Sequence, residues 1–195
     1  MTLLTAVAGL VLAGSSGAVD GTVIGRQLQK NVQLVYLEKV DVAEATKPTE
    51  GAVLDQKGNV YYPHVLPIVV GSTVKIQSSD PELHNVYAEK GTEVLFNSAM
   101  PAGSPPRNRT FEELGVVALS CSIHKEMSAF VVVLQNRFFA APDKTGKFRI
   151  EGVPTGSYVL RIWGEKLDEA TLQKKFEVKV PSEGSLPVEI TVPAS

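Results

Sequence analysis

The chain has 195 residues, 44% of them hydrophobic, and a formal net charge of -2 from 19 basic and 21 acidic side chains. That is enough apolar material to build a core, which excludes an intrinsically disordered chain, and the balanced charge gives no reason to expect nucleic acid or an anionic membrane surface as a partner. With one Cys an internal disulfide is impossible, which leaves an intermolecular partner, a reactive thiol or a metal ligand.

Residues 1–18 read as a secretory signal. Leu3 to Ala13 is apolar but too short to span a bilayer, and Ser16-Gly17-Ala18 offers small residues for cleavage before Val19. The stretch lacks a basic residue ahead of it, the first being Arg26. The competing reading is a buried apolar N-terminal segment. The signal reading makes the mature protein periplasmic, and no later apolar run has transmembrane length.

Beyond the signal the pattern is of strands and turns. Short runs rich in β-branched and aromatic residues occur at Val32 to Val35, Val60 to Tyr62, Ile68 to Val70 and Val74 to Ile76. They continue at Val116 to Leu119, Phe130 to Leu134, Phe148 to Ile150, Tyr158 to Trp163, Phe176 to Val180 and Val188 to Val192. Gly71-Ser72, Ser79-Asp80-Pro81 and Gly91-Thr92 punctuate them. Residues 41–59 read as a long polar loop. Residues 97–109, with Pro101, Pro105 and Pro106, are too proline-rich for a central strand. Residues 166–173 fit either a helical turn or a polar loop. A boundary is expected near residues 135–142. The spacing of strands predicts an all-β chain built from a sandwich or a pair of them.

Cys121, His124 and Met127 stand three residues apart in Leu119-Ser-Cys-Ser-Ile-His-Lys-Glu-Met127, and a second histidine lies upstream in Asp80-Pro-Glu-Leu-His84-Asn85. One thiolate, two imidazoles and one thioether are the ligand set of a blue-copper electron-transfer centre, with two His and a Cys in a near-trigonal plane and a weak axial Met. Two of the three histidines fall in this pattern. The competing reading is a buried free Cys with incidental histidines. His64, in Tyr61-Tyr-Pro-His-Val-Leu-Pro67, is open between a group supporting the site, an extra ligand and a packed histidine. Glu126 is an alternative to Met127 as an oxygen donor. Trp163, Phe138, Phe139 and Tyr158 read as core.

The segment Cys121-Ser-Ile-His124-Lys-Glu-Met127 with His84-Asn85 upstream resembles the cupredoxins, and its short ligand loop is like that of amicyanin. Tyr62-Pro-His-Val-Leu-Pro67 and Cys121 to Phe130 also resemble bacterial cupredoxin-like proteins labelled methylamine-utilisation proteins. Lys125 stands where related loops often carry Pro. The resemblance covers about residues 21–163 and implies a Greek-key cupredoxin β-sandwich. It implies one type 1 copper on His84, Cys121, His124 and Met127, with Asn85 supporting the loop. It also implies an electron port at His124, with Ile123 and Met100 or Pro101 in an apolar patch. Asp143 to Trp163 resembles carboxypeptidase-regulatory-like domains of transthyretin type, a second small β-sandwich. The expected division is therefore a signal at 1–18, a cupredoxin domain at 19–136 and the second domain at 137–195. Residues 20–40 pair either with the C-terminal domain or within the cupredoxin.

The function implied is a single-electron carrier, not an enzyme, cycling Cu(II)/Cu(I) between redox proteins such as a dehydrogenase donor and a c-type cytochrome acceptor. The alternatives are copper storage or delivery, disfavoured by only three Met, and a structural β module with a vestigial site. A copper enzyme needs further His-rich sites, and one spare histidine cannot build one.

Overall fold

The computed structural model of the chain describes residues 15–24, 31–40 and 42–192. Most of the expected signal lies outside the described residues, while Ser16, Gly17 and Ala18 open the first strand. The architecture is all-β, with one four-residue α-helix among the described residues, Glu169–Leu172, capped by the Asp168 carboxylate, which accepts from the Thr171 amide.

Four sheets stack as layers around three apolar clusters. The outermost sheet has the order β13-β1-β16, with β1 Ser16–Ile24, β13 Lys147–Pro154 and β16 Ser185–Thr191. The next has the order β12-β2-β14-β15, with β2 Leu34–Leu37, β12 Phe139–Ala140, β14 Gly156–Trp163 and β15 Phe176–Val180. Val19, Val35, Leu37, Leu160, Ile162 and Ile190 fill the space between these two. The third sheet has the order β5-β11-β10-β7-β8: β5 Val65–Val69, β7 His84–Lys90, β8 Glu93–Met100, β10 Gly115–Ser120 and β11 Ser128–Leu134. The fourth has the order β4-β3-β6-β9: β3 Val53–Gln56, β4 Tyr61–Tyr62, β6 Ser72–Ser78 and β9 Arg107–Phe111. Leu54, Ile68, Ile76, Val86, Leu119, Val131 and Val133 form the core between the third and fourth sheets.

The run Phe130 to Leu134 is apolar at every position because β11 is covered on both faces. Val131 and Val133 point into the core of their own sandwich, while Val132 and Leu134 meet Leu34 and Trp163 of the neighbouring sandwich. The same alternation splits β2, with Val35 and Leu37 on one face and Leu34 on the other. Trp163, expected in a core, thus lies between the sandwiches, with its ring 5.2 Å from Phe130. Buried Asn136 ties the connection between them: its amide donates to Leu37 O at 3.0 Å and its oxygen accepts from the Phe138 amide at 2.9 Å.

β1 runs antiparallel to β13 and parallel to β16, and β2 pairs with β12 and β14. Residues 16–24 and 34–37 therefore pair with C-terminal strands, and β3 to β11 form the intervening sandwich. The expected loop at 41–59 contains β3, whose pattern is masked because only Leu54 and Gln56 face inward. The three prolines of 97–109 fall in the connection between β8 and β9, and both strands lie at sheet edges.

Candidate metal centre

The three sheet strands that matter here lie side by side, β11 next to β10 and β10 next to β7. β7 begins with His84, β10 ends immediately before Cys121, and β11 begins immediately after Met127. Because Ser120 pairs with Ser128, residues 121–127 are a closed turn at one end of the sandwich, next to the start of β7. A Met127 amide bond to His124 O at 3.1 Å tightens this turn.

His84, Cys121 and His124 come together with their donor atoms all within 4.8 Å of one another. The two imidazole Nδ1 atoms are 3.0 Å apart, and Cys121 Sγ lies 3.9 Å from His124 Nδ1. His84 and Met127 are buried, at 0% and 1% exposure, and Cys121 is nearly so. Glu126 is exposed while Met127 belongs to the same apolar cluster as Cys121, so the thioether and not the carboxylate faces inward.

The remaining ring nitrogens meet carboxylates. Asp80 Oδ2 lies 2.9 Å from His84 Nε2, and a Glu82 oxygen lies 3.6 Å from His124 Nε2. Asp80 also accepts from the Gly58 amide at 2.7 Å and the Asn59 amide at 3.3 Å. These belong to the β3–β4 turn, where Gly58 and Asn59 both have left-handed backbone, at φ 64° and 58°, as a tight hairpin requires. Burial pushes the Asp80 carboxyl up, but the two amides and His84 outweigh it and hold it below the ordinary 3.8. An ionised Asp80 has no proton to give, so His84 Nε2 is the donor to it, and Nδ1 is the ring nitrogen turned toward His124. Two ring nitrogens 3.0 Å apart need a proton or a cation between them, and the Cys121 sulfur lies beside them. The donor set therefore fits a metal ion with affinity for nitrogen and sulfur.

Asn85 locks the turn. Its Oδ1 accepts from the Ser122 amide at 2.7 Å and from the Cys121 thiol at 3.3 Å, and its Nδ2 donates to Ser122 Oγ at 3.1 Å and Asn97 Oδ1 at 2.9 Å. His64 stands apart from the cluster. Its Nδ1 is 2.9 Å from Ser128 O, its Nε2 is 3.1 Å from a Glu165 oxygen, and its ring meets Phe130 edge-on at 5.6 Å. Of the two residues expected beside Ile123, Met100 is fully buried opposite His84 in the β7–β8 register and cannot contribute to a surface patch, whereas Pro101 is exposed. The exposed apolar side chains flanking the ligand positions are Leu83 at 51% and Ile123 at 49%. Asp80 was missed from sequence, although a carboxylate four residues before His84 was in plain view.

No protein-family profile matches the chain, and no curated protein matches it significantly. Solved structures do. A purple cupredoxin from Nitrosopumilus maritimus is 30% identical over 42% of this chain and 98% of that one, with a TM-score of 0.38. Amicyanin from Paracoccus versutus is 23% identical, over 52% of this chain and 98% of its own, with a TM-score of 0.38. A copper-containing nitrite reductase from Thermus scotoductus SA-01 is 21% identical over 60% of this chain but only 28% of its own, with a TM-score of 0.41. The likeness takes in only part of the chain, between 42% and 60% of it in these three.

Proposed function

We propose that the protein is a periplasmic type 1 copper protein that carries single electrons between redox partners, with His84, Cys121, His124 and Met127 as the residues that would hold the copper. The observation that carries this is the pair of facing Nδ1 atoms beside the Cys121 thiol, with the His84 tautomer fixed by Asp80. Bound copper would supply the one-electron couple, Cu(II)/Cu(I). The chain's own contribution is to hold the donors at one end of neighbouring strands, His84 at the start of β7 and the others in the turn between β10 and β11, exclude water from Cys121 and Met127, and keep the His84 proton on Nε2. The division of labour follows the strand order. The sandwich of β3 to β11 carries the site, and the one built from β1, β2 and β12 to β16 is the carboxypeptidase-regulatory-like unit.

Electrons would enter and leave at His124, whose side chain is 20% exposed and whose chain neighbour Ile123 is an exposed apolar residue. Contacts through so small an apolar patch suit brief encounters with a donor such as a dehydrogenase and an acceptor such as a c-type cytochrome. Voltammetry of the copper-loaded protein tests the reading: one reversible one-electron wave is expected, whereas ready surrender of copper to an apo acceptor protein would favour storage or delivery.

Met127→Leu adds a further expectation. Losing the thioether donor would remove more stabilisation from the more highly charged ion, so the potential should rise while the thiolate colour persists. The rise is about 59 mV for each tenfold by which Cu(II) binding weakens relative to Cu(I). An unchanged potential would remove Met127 from the donor set.

A further inference from the structure

The metal end of the sandwich is held by two side chains outside the ligand pattern. The β7–β10 ladder stops at the Tyr87–Ser120 pair, and beyond it the two strands lead to His84 and Cys121. The carbonyls of Asn85 and Ser120, each one residue from a proposed ligand, are met by side chains from the opposite sheet. Tyr61 of β4, 2% exposed, places its hydroxyl 3.1 Å from Asn85 O and 3.0 Å from Ser120 O. Gln56 of β3, with 0% exposure, donates its Nε2 to Asn85 O at 3.2 Å. Gln56 and Tyr61 are directly paired across the β3–β4 hairpin, so both reach across the core from one point.

These are unusual residues for that place. Packing alone would favour a Leu or Phe, and Gln56 Oε1 is buried without a protein partner. Burial, with the nearby Cys121 adding to it, pushes the Tyr61 phenol well above its ordinary value of 10.0, so it stays a hydroxyl donor.

We propose that Tyr61 and Gln56 are positioning residues of the metal centre, their side chains bridging the two sheets to fix the Asn85 and Ser120 carbonyls and with them the separation of His84 and Cys121. One hydroxyl proton shared by two carbonyls ties the end of β10 to the start of β7, and the Gln56 amide holds the β7 side from behind. A spacing set by the opposite sheet changes little when an electron arrives, which keeps the barrier to transfer low. This rests on the copper reading above.

The test uses Tyr61→Phe and Gln56→Leu, each removing polar atoms at nearly constant volume, with Tyr62→Phe, 60% exposed, as the control. In the metal-free protein, hydrogen exchange at the Cys121 and Ser122 amides should accelerate about fivefold, while Val19 and Val23 of β1 are unaffected. On adding Cu(II), affinity should fall about tenfold and the thiolate-to-copper band should lose intensity. Should Tyr61→Phe fail to fold, Gln56→Leu carries the test. Wild-type exchange, affinity and spectrum in both variants would overturn the inference while leaving the copper reading intact. A wild type without a thiolate band would overturn the copper reading, and this inference with it.

Discussion

Trp163→Ala is expected to cost about 3–5 kcal/mol and to split the unfolding of the chain into two transitions. Trp163 is 9% exposed and packs with Leu34, Val132 and Leu134, its ring 5.2 Å from Phe130. That cluster is small compared with the cores on either side of it, each of which is complete without it. The indole is thus the largest single contributor to the contact between sandwiches and contributes little to either interior. Removing it leaves a void that β-sheet faces cannot close by sliding, because their registers are fixed by the ladders. Chemical denaturation followed by a probe in each sandwich measures both effects. One transition, shifted by less than about 1 kcal/mol, would show that the sandwiches are coupled elsewhere, with the Asn136 connection the first place to look.

Asp80→Asn should weaken Cu(II) binding about 10-fold to 100-fold, the usual effect of losing the partner behind a metal-bound imidazole. The amide has the same shape, and with its oxygen toward His84 Nε2 and Asn59 N it gives up only the bond from Gly58 N, so the fold is expected to be retained. It no longer carries the negative charge that makes the imidazole a stronger donor, and Cu(II) suffers more than Cu(I), so the potential should rise. Competition against a chelator measures the affinity. Acid has a related effect, of determinable sign. Asp80 is held below 3.8 in the folded protein, so its stabilising contribution is complete above that value and disappears as pH falls through the lowered one. An Asp80→Asn protein with wild-type copper affinity would show that the Asp80 contact does no more than close the β3–β4 turn.

What could be read in the sequence followed the chemistry of single residues. Cys121, His124 and Met127 lie within one short turn, so their spacing alone shows that they can converge. His84 was legible as a partner because few histidines compete for the role. The strand pattern was clear where one face is polar, as in β6, whose burial alternates from Ser72 to Ile76. It was hidden where the strand is short and surrounded by polar loop, as in β3, whereas β11, covered on both faces, was legible as an unbroken apolar run. The strands β7 and β8 were missed because His84 and Asn85 open one of them and the other is an exposed edge. Polar groups that act on backbone, such as Gln56, Tyr61 and Asn136, leave no periodic mark. Their partners, Asn85 O and Leu37 O, lie 29 and 99 residues away for Gln56 and Asn136 respectively, and only the fold brings them together.

The absorption spectrum of the protein titrated with Cu(II), beside that of Cys121→Ser, is the most direct test of the account. An intense band near ~600 nm that saturates at one copper per chain and is absent from the variant is the predicted result. A wild type whose spectrum matches that of Cys121→Ser would contradict it, since the thiol at the centre of the cluster would then have no bond to the metal.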